Sequence, residues 1–121
     1  MVMSEEALTR VRRYYELVDK RDVAGMVALF TPDAVYDRPG YDTFKGRAAL
    51  DEFYRADRVI ADGRHTLRAT VCDGTTIAVQ GDFEGVLKSG ENVRLRFADF
   101  FEVAPDGLFS RRDTYFFAPM V

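Results

Sequence analysis

Two aspartates interrupt what would otherwise be unbroken apolar faces. Side chains alternate across a β-strand, so in one extended stretch Val93, Leu95, Phe97, Asp99 and Phe101 share a face. In the last such stretch Phe109, Arg111, Asp113, Tyr115 and Phe117 do the same. Desolvation raises the pKa of a carboxyl in such company, which suits it to acid, base or donor chemistry near neutral pH. The other reading of each is structural: Asp99 turned outward by a bulge or satisfied by a buried arginine, Asp113 paired with Arg111 or Arg112. Asp82 shares a parity with Gln80 and Glu84, and either faces water or supplies a further carboxylate. His65, alone of its type, keeps parity with Leu67, Ala69 and Val71. Its unperturbed pKa lies near neutrality, which fits an orienting group beside a site; a hydrogen-bonded core role accounts for it as well. Cys72, the lone cysteine, has no activating neighbour in sequence and reads as an inert small residue.

What is missing narrows the chemistry. There is no Gly-x-Ser-x-Gly, P-loop, dinucleotide fingerprint or His-Glu-x-x-His. One cysteine and one histidine make neither an internal disulfide nor a zinc site of the Cys/His kind. Seventeen Lys and Arg against twenty Asp and Glu give a net charge of −3, the wrong sign for tracking phosphates, so nucleic acid is not an expected partner. The acidic start at Glu5-Glu6 and the lack of any apolar run near the roughly 18 residues that span a bilayer predict a cytoplasmic protein without a membrane partner.

The elements that must position these groups follow from periodicity. Leu8, Val11, Tyr14 or Tyr15, and Val18 make one buried stripe of a first helix capped by Ser4. Asp22 caps a second helix in which Val23, Met26, Val27, Leu29 and Phe30 face inward until Pro32 ends it. Val35-Tyr36 is a short extended piece, and a third helix runs from Arg47 to about Ala61, closed by Gly63. Turn signals at Asp73-Gly74, Ser89-Gly90 and Asp106-Gly107 then divide antiparallel strands at about 64–72, 76–88, 92–104 and 108–118. With 121 residues and 47% hydrophobic composition, the expectation is one α+β domain over 1–121: a cone-shaped barrel of strongly curved, mainly antiparallel sheet wrapped around the N-terminal helices.

The segments Val11 to Tyr14, Asp22 to Pro39, Gly46 to Leu50 with Phe53-Tyr54, and Phe97 to Phe101 with Asp106-Gly107 resemble the ketosteroid isomerases and SnoaL-like polyketide cyclases of the nuclear transport factor 2-like superfamily. The resemblance implies a conical cavity, commonly in a dimer. It places Tyr14 where the isomerases keep an oxyanion-hole tyrosine and Asp99 where they keep a neutral aspartic acid. Their general base, an Asp before a proline, is replaced by Arg38, and a guanidinium cannot abstract a proton. Limonene epoxide hydrolase-like relatives carry an Asp that matches Asp113, and their Arg-x-Asp matches Gln80-Gly81-Asp82. SnoaL-type cyclases likewise use an acid on a late strand. The combined expectation is a homodimeric, cofactor-independent acid/base enzyme of isomerase, cyclase or dehydratase type, without a metal, acting on a hydrophobic small molecule such as a polyketide or terpenoid intermediate. Asp113, Asp99, Tyr14 and Asp82 are its catalytic groups, and Arg38, His65, Tyr54, Phe97 and Tyr115 line the substrate. Epoxide hydrolysis and non-catalytic ligand binding are the alternatives.

Overall fold

The computed structural model describes residues 2–118, with side chains from residue 5 onward. Helix α1 (Val2–Asp19) begins before Ser4, whose side chain lies outside the described residues. It buries Ala7, Val11, Tyr14, Tyr15, Leu17 and Val18, a stripe wider than a single heptad seam. Adjacent Tyr14 and Tyr15 both reach the interior, their rings meeting edge to face. A tight turn with Arg21 in the left-handed conformation (φ 61°) leads to α2 (Val23–Val27), where Asp22 accepts the Gly25 N–H as expected of a cap.

The chain leaves α2 earlier than Pro32 suggests. Phe30 opens strand β1 (Phe30–Asp37), because the final strand captures it: Phe109 N–H donates to Leu29 O at 2.9 Å. Pro32 then falls in the irregular stretch between the Phe30 and Val35 pairings, where its missing N–H breaks no ladder bond. After β2 (Phe44–Lys45), α3 covers only Gly46–Glu52 and widens into a π-helical turn, Phe53–Asp57, closed by Arg58 N–H to Phe53 O at 2.8 Å. The sequence extends this helix to Ala61 and ends it at Gly63. Instead the sheet claims those residues, β3 running from Ile60 to Asp73, and Gly63 lies under the Phe83 ring, where a Cβ would collide.

Strands β4 (Thr76–Leu87), β5 (Asn92–Val103) and β6 (Phe109–Phe117) follow the turn signals within a residue or so. The order is β2-β1-β6-β5-β4-β3, antiparallel except where β1 runs parallel to β6. The curved sheet is open, with β2 and β3 at its edges, so the barrel expected from sequence is not closed. The helices cover the inner face, where Ile77, Val79, Phe83, Phe97, Phe101 and Phe109 form the core.

Bulges reset the parity of two strands. In β6, Glu102 pairs with Arg111 but Val103 pairs with Phe109, so Ser110 is an extra residue. Phe109 points inward, and beyond the bulge Arg112, Thr114 and Phe116 do, not Arg111, Asp113 and Tyr115. In β3 the extra residue is Arg68; His65 and Leu67 face in, whereas Val71 is 62% exposed and Cys72 takes its place against the core.

Candidate active site

The centre of the inner face is charged. Asp99, with no exposed surface, accepts from three donors: Arg112 at 2.8 Å, the Thr114 hydroxyl and the Tyr15 hydroxyl. Every neighbour being a donor, this carboxyl is held as an acceptor and counter-ion, not as the hydrogen-bond donor implied by resemblance. Arg112 continues the network by donating to Tyr14 at 2.6 Å and Tyr54 at 2.9 Å, and the two phenols bond each other. Its guanidinium is sandwiched by the Tyr14 and Tyr36 rings, 4.8 and 4.6 Å from their centroids. Burial opposes the Arg112 charge, and Asp99 and the surrounding phenols outweigh it. Tyr14 is not bonded to Asp99; Tyr15 is.

Counting protons shows what remains for a ligand. Arg112 donates to both phenol oxygens, and one phenol donates to the other, so one O–H of the pair is left over. Tyr14 is buried to 1% exposure, while Tyr54 lines an outer groove, so the spare donor is delivered at Tyr54. Burial raises the Tyr14 phenol well above its ordinary pKa, so it stays protonated at any physiological pH.

A second pair adjoins this network. The His65 Nδ1 lies 2.6 Å from Asp19 Oδ1, and Asp19 Oδ2 accepts the His65 backbone N–H at 2.9 Å. A carboxylate at Nδ1 puts the proton there and leaves Nε2 with a lone pair; among the described residues Nε2 has no protein partner. Burial lowers the His65 pKa below the usual imidazole range, Asp19 restoring part of the loss. The ring packs on Tyr15, Phe83 and Phe97.

His65, Asp99, Phe97 and three arginines, Arg38, Arg58 and Arg112, line an inner cavity of about 20 Å³, room for a water-sized group. Arg38 bonds the Tyr36 hydroxyl at 3.1 Å and lies against the Phe53 and Phe116 rings. Arg58 and Ile60 also line the outer groove of about 300 Å³ between the helices and β3, which holds Tyr54. The π-helical turn is what aims Tyr54 and Arg58 at this space. Among the described residues, no three of His, Cys, Asp and Glu gather as a metal-binding cluster.

Asp113 and Asp82 lie elsewhere. The Ser110 bulge turns Asp113 to the outer face, where it pairs with Arg111 at 3.0 Å, and Asp82 pairs there with Arg68. Neither lines the cavity. Tyr115, 56% exposed, shares that outer face. Asp99, His65, Arg38 and Phe97 are thus brought to one cavity, Tyr14 and Tyr54 bond into its wall, and Asp113, Asp82 and Tyr115 stand outside. Sequence reasoning missed Asp19, Tyr15, Arg58, Arg112 and Thr114. Asp19 had a usable signal: it follows Tyr15 by four residues on a helix, which puts both on the face that meets His65.

An open, curved sheet with a polar cluster buried between it and the N-terminal helices agrees with the family comparison. The SnoaL-like domain family matches residues 11–112, and the chain belongs to it. A steroid Δ-isomerase of Nocardioides simplex is 44% identical over 55 residues, which is 45% of this chain and 45% of that enzyme's length. Among solved structures, the epoxide hydrolase/cyclase-like enzyme SalBIII of salinomycin pyran-ring formation superposes with a TM-score of 0.84 at 23% identity, covering 97% of this chain and 95% of its own. An LEH-like epoxide hydrolase from M. tuberculosis gives 0.81 at 18%, covering 93% and 84%. At these identities the structural likeness establishes the nuclear transport factor 2-like fold. No helix among the described residues is long and apolar enough to cross a membrane.

Proposed function

We propose that this cavity is the active site of a cofactor-independent acid/base enzyme of isomerase or cyclase type, with His65 as the general base. One observation carries the reading: a largely buried histidine, anchored at Nδ1 by Asp19, lines the inner cavity together with Asp99 and Arg112, and Arg112 leads to a spare phenol donor at Tyr54 in the adjoining outer groove, the two spaces sharing Arg58 and Ile60. Nε2 takes a proton from carbon α to a carbonyl, and the Tyr54 O–H, polarised by Arg112, bonds the developing enolate oxygen. In a β,γ-unsaturated ketone, return of the proton from His65 to the γ-carbon of the dienolate completes an isomerisation; attack of the enolate carbon on a second carbonyl of the same molecule, with the proton delivered to that oxygen, completes a cyclisation. The steroid isomerase relative supports the proton-transfer class. Placing Asp82 and Asp113 in separate outer-face ion pairs removes the two-carboxylate argument for epoxide hydrolysis.

The test is deuterium incorporation α to the carbonyl across a panel of enolisable ketones, neutral and carboxylate-bearing, followed by mass spectrometry. The exchange rate is expected to rise with pH along an acid limb centred below about 6.5 and then level off, because only neutral His65 accepts a proton. Stability follows the same sign. The unfolded imidazole binds its proton near pH 6.5 and the buried one binds it less readily, so the His65 contribution is complete above 6.5 and is lost as pH falls towards the folded value. Exchange no faster than in buffer across the whole panel would leave ligand binding as the function.

The outer sheet face carries Phe100, Tyr115 and Phe117, exposed by 43%, 56% and 72%, with Phe100 and Tyr115 in edge contact. Such a patch supports a homodimer through this face. Light scattering at micromolar concentration is expected to give twice the chain mass, and a monomer there would refute it.

A further inference from the structure

The reading above leaves two arginines without a task. Arg58 makes no side-chain hydrogen bond and no ion pair among the described residues; its Nε is buried and unpartnered, and only the Tyr54 ring approaches, at 5.7 Å. Arg38 is held by one neutral phenol and two aromatic faces. Around the inner cavity, three guanidiniums face the single carboxylate of Asp99, which Arg112 already uses. Counting Asp19 behind a neutral His65 still leaves one positive charge uncompensated.

The outer groove repeats the imbalance. Its lining includes Arg21, Arg55, Arg58 and Lys88 and no Asp or Glu. Arg55 is paired with Asp51, and Lys88 binds a backbone carbonyl, so among the described residues Arg21, Arg58 and Lys88 have no carboxylate partner. This lies in a chain of net charge −3, so average composition does not account for it. A guanidinium remains charged when buried, and a buried charge without a counter-ion is strongly destabilising. Burial lowers the Arg58 pKa, as expected of a cation whose counter-ion is missing.

The geometry points to an anionic ligand: a small apolar acid whose carboxylate binds Arg58, with Arg38 behind it, and whose body fills the groove against Val23 and Met26. This rests on the proposal that the cavity is the active site, and names its substrate class. A planar carboxylate matches the two-pronged guanidinium, about 300 Å³ is the lower end of small-molecule sites, and the cationic groove steers anions inward from solvent. The inner cavity is too small for more than the head group.

Calorimetry with benzoate, cyclohexanecarboxylate and 2-naphthoate, each beside its neutral amide, tests this. At least one carboxylate is expected to bind tenfold or more tighter than its amide. Arg58→Met should remove that preference and Arg58→Lys should keep most of it. The free Arg58→Met protein should melt no lower than the parent, since it loses an unpaired buried charge. Amides binding as well as acids, no carboxylate binding at millimolar concentration, or a preference that survives both Arg58→Met and Arg38→Met would overturn the inference; so would a melting point several degrees lower in Arg58→Met. Deuterium exchange without charge preference would refute only the anionic ligand, and charge-selective binding without exchange would refute only the catalytic reading.

Discussion

Replacing His65 by Asn is expected to lower the exchange rate by about 10²–10⁴, the usual contribution of a positioned general base. The amide can still donate to Asp19, so the anchor at the end of α1 stays satisfied while the Nε2 lone pair disappears. Asp113→Asn and Asp82→Asn form the contrast. Both carboxylates sit in partly exposed ion pairs of the outer face, where such pairs are worth about 0–1 kcal/mol, and neither touches the cavity. Turnover in those two variants is expected to stay within about threefold of the parent. Rates for all three, with melting temperatures to exclude unfolding, decide the matter. A His65→Asn protein as fast as its parent, or one silenced by Asp113→Asn, would return the base to β6.

Asp99→Asn is the second large effect, this time on stability. The substitution keeps the side-chain shape but leaves the buried Arg112 without its counter-ion and sets an amide N–H among groups that are already donors. Breaking one side of a buried ion pair costs about 3–5 kcal/mol, a large share of the 5–15 kcal/mol by which domains are stable. Denaturant unfolding of Asp99→Asn should show that loss. Asp99→Leu combined with Arg112→Met should recover much of it, since removing both charges leaves neither stranded. Equal losses in the single and double variants would mean that Asp99 acts through packing.

The strands were legible because their turns were: Asp73-Gly74, Ser89-Gly90 and Asp106-Gly107 marked boundaries that the backbone keeps almost to the residue. Pattern also placed Asp99 on the inner face of β5, a strand with no irregularity before Glu102. In β6 the same method failed, because the extra residue Ser110 gives no compositional sign, and parity counted from Phe109 assigns every later side chain to the wrong face. The third helix was overestimated for a different reason. Leu50, Phe53, Tyr54 and Ile60 keep a helical rhythm, but Ile60 belongs to the sheet, and pairing across to Leu87 outweighs local propensity. The His65–Asp19 pair joins residues 46 positions apart, and no local spacing announces a contact made by docking a helix end on a strand.

The single extra residue at Ser110 also determines which charge lies at the heart of the molecule. Arg112 and Asp113 are neighbours on β6 and point to opposite faces. Were Ser110 paired in regular register instead of bulged out, every later residue would slip by one, sending the aspartate inward and the arginine out, since a slip of one exchanges the faces. Two chains with identical residues along β6, one bulged at Ser110 and one paired straight through it, would therefore present opposite polarity to whatever they bind. The same letters can thus carry different chemistry according to whether a bulge is present, and residue correspondence along this strand has to be counted from the bulge, not from the turn that precedes it.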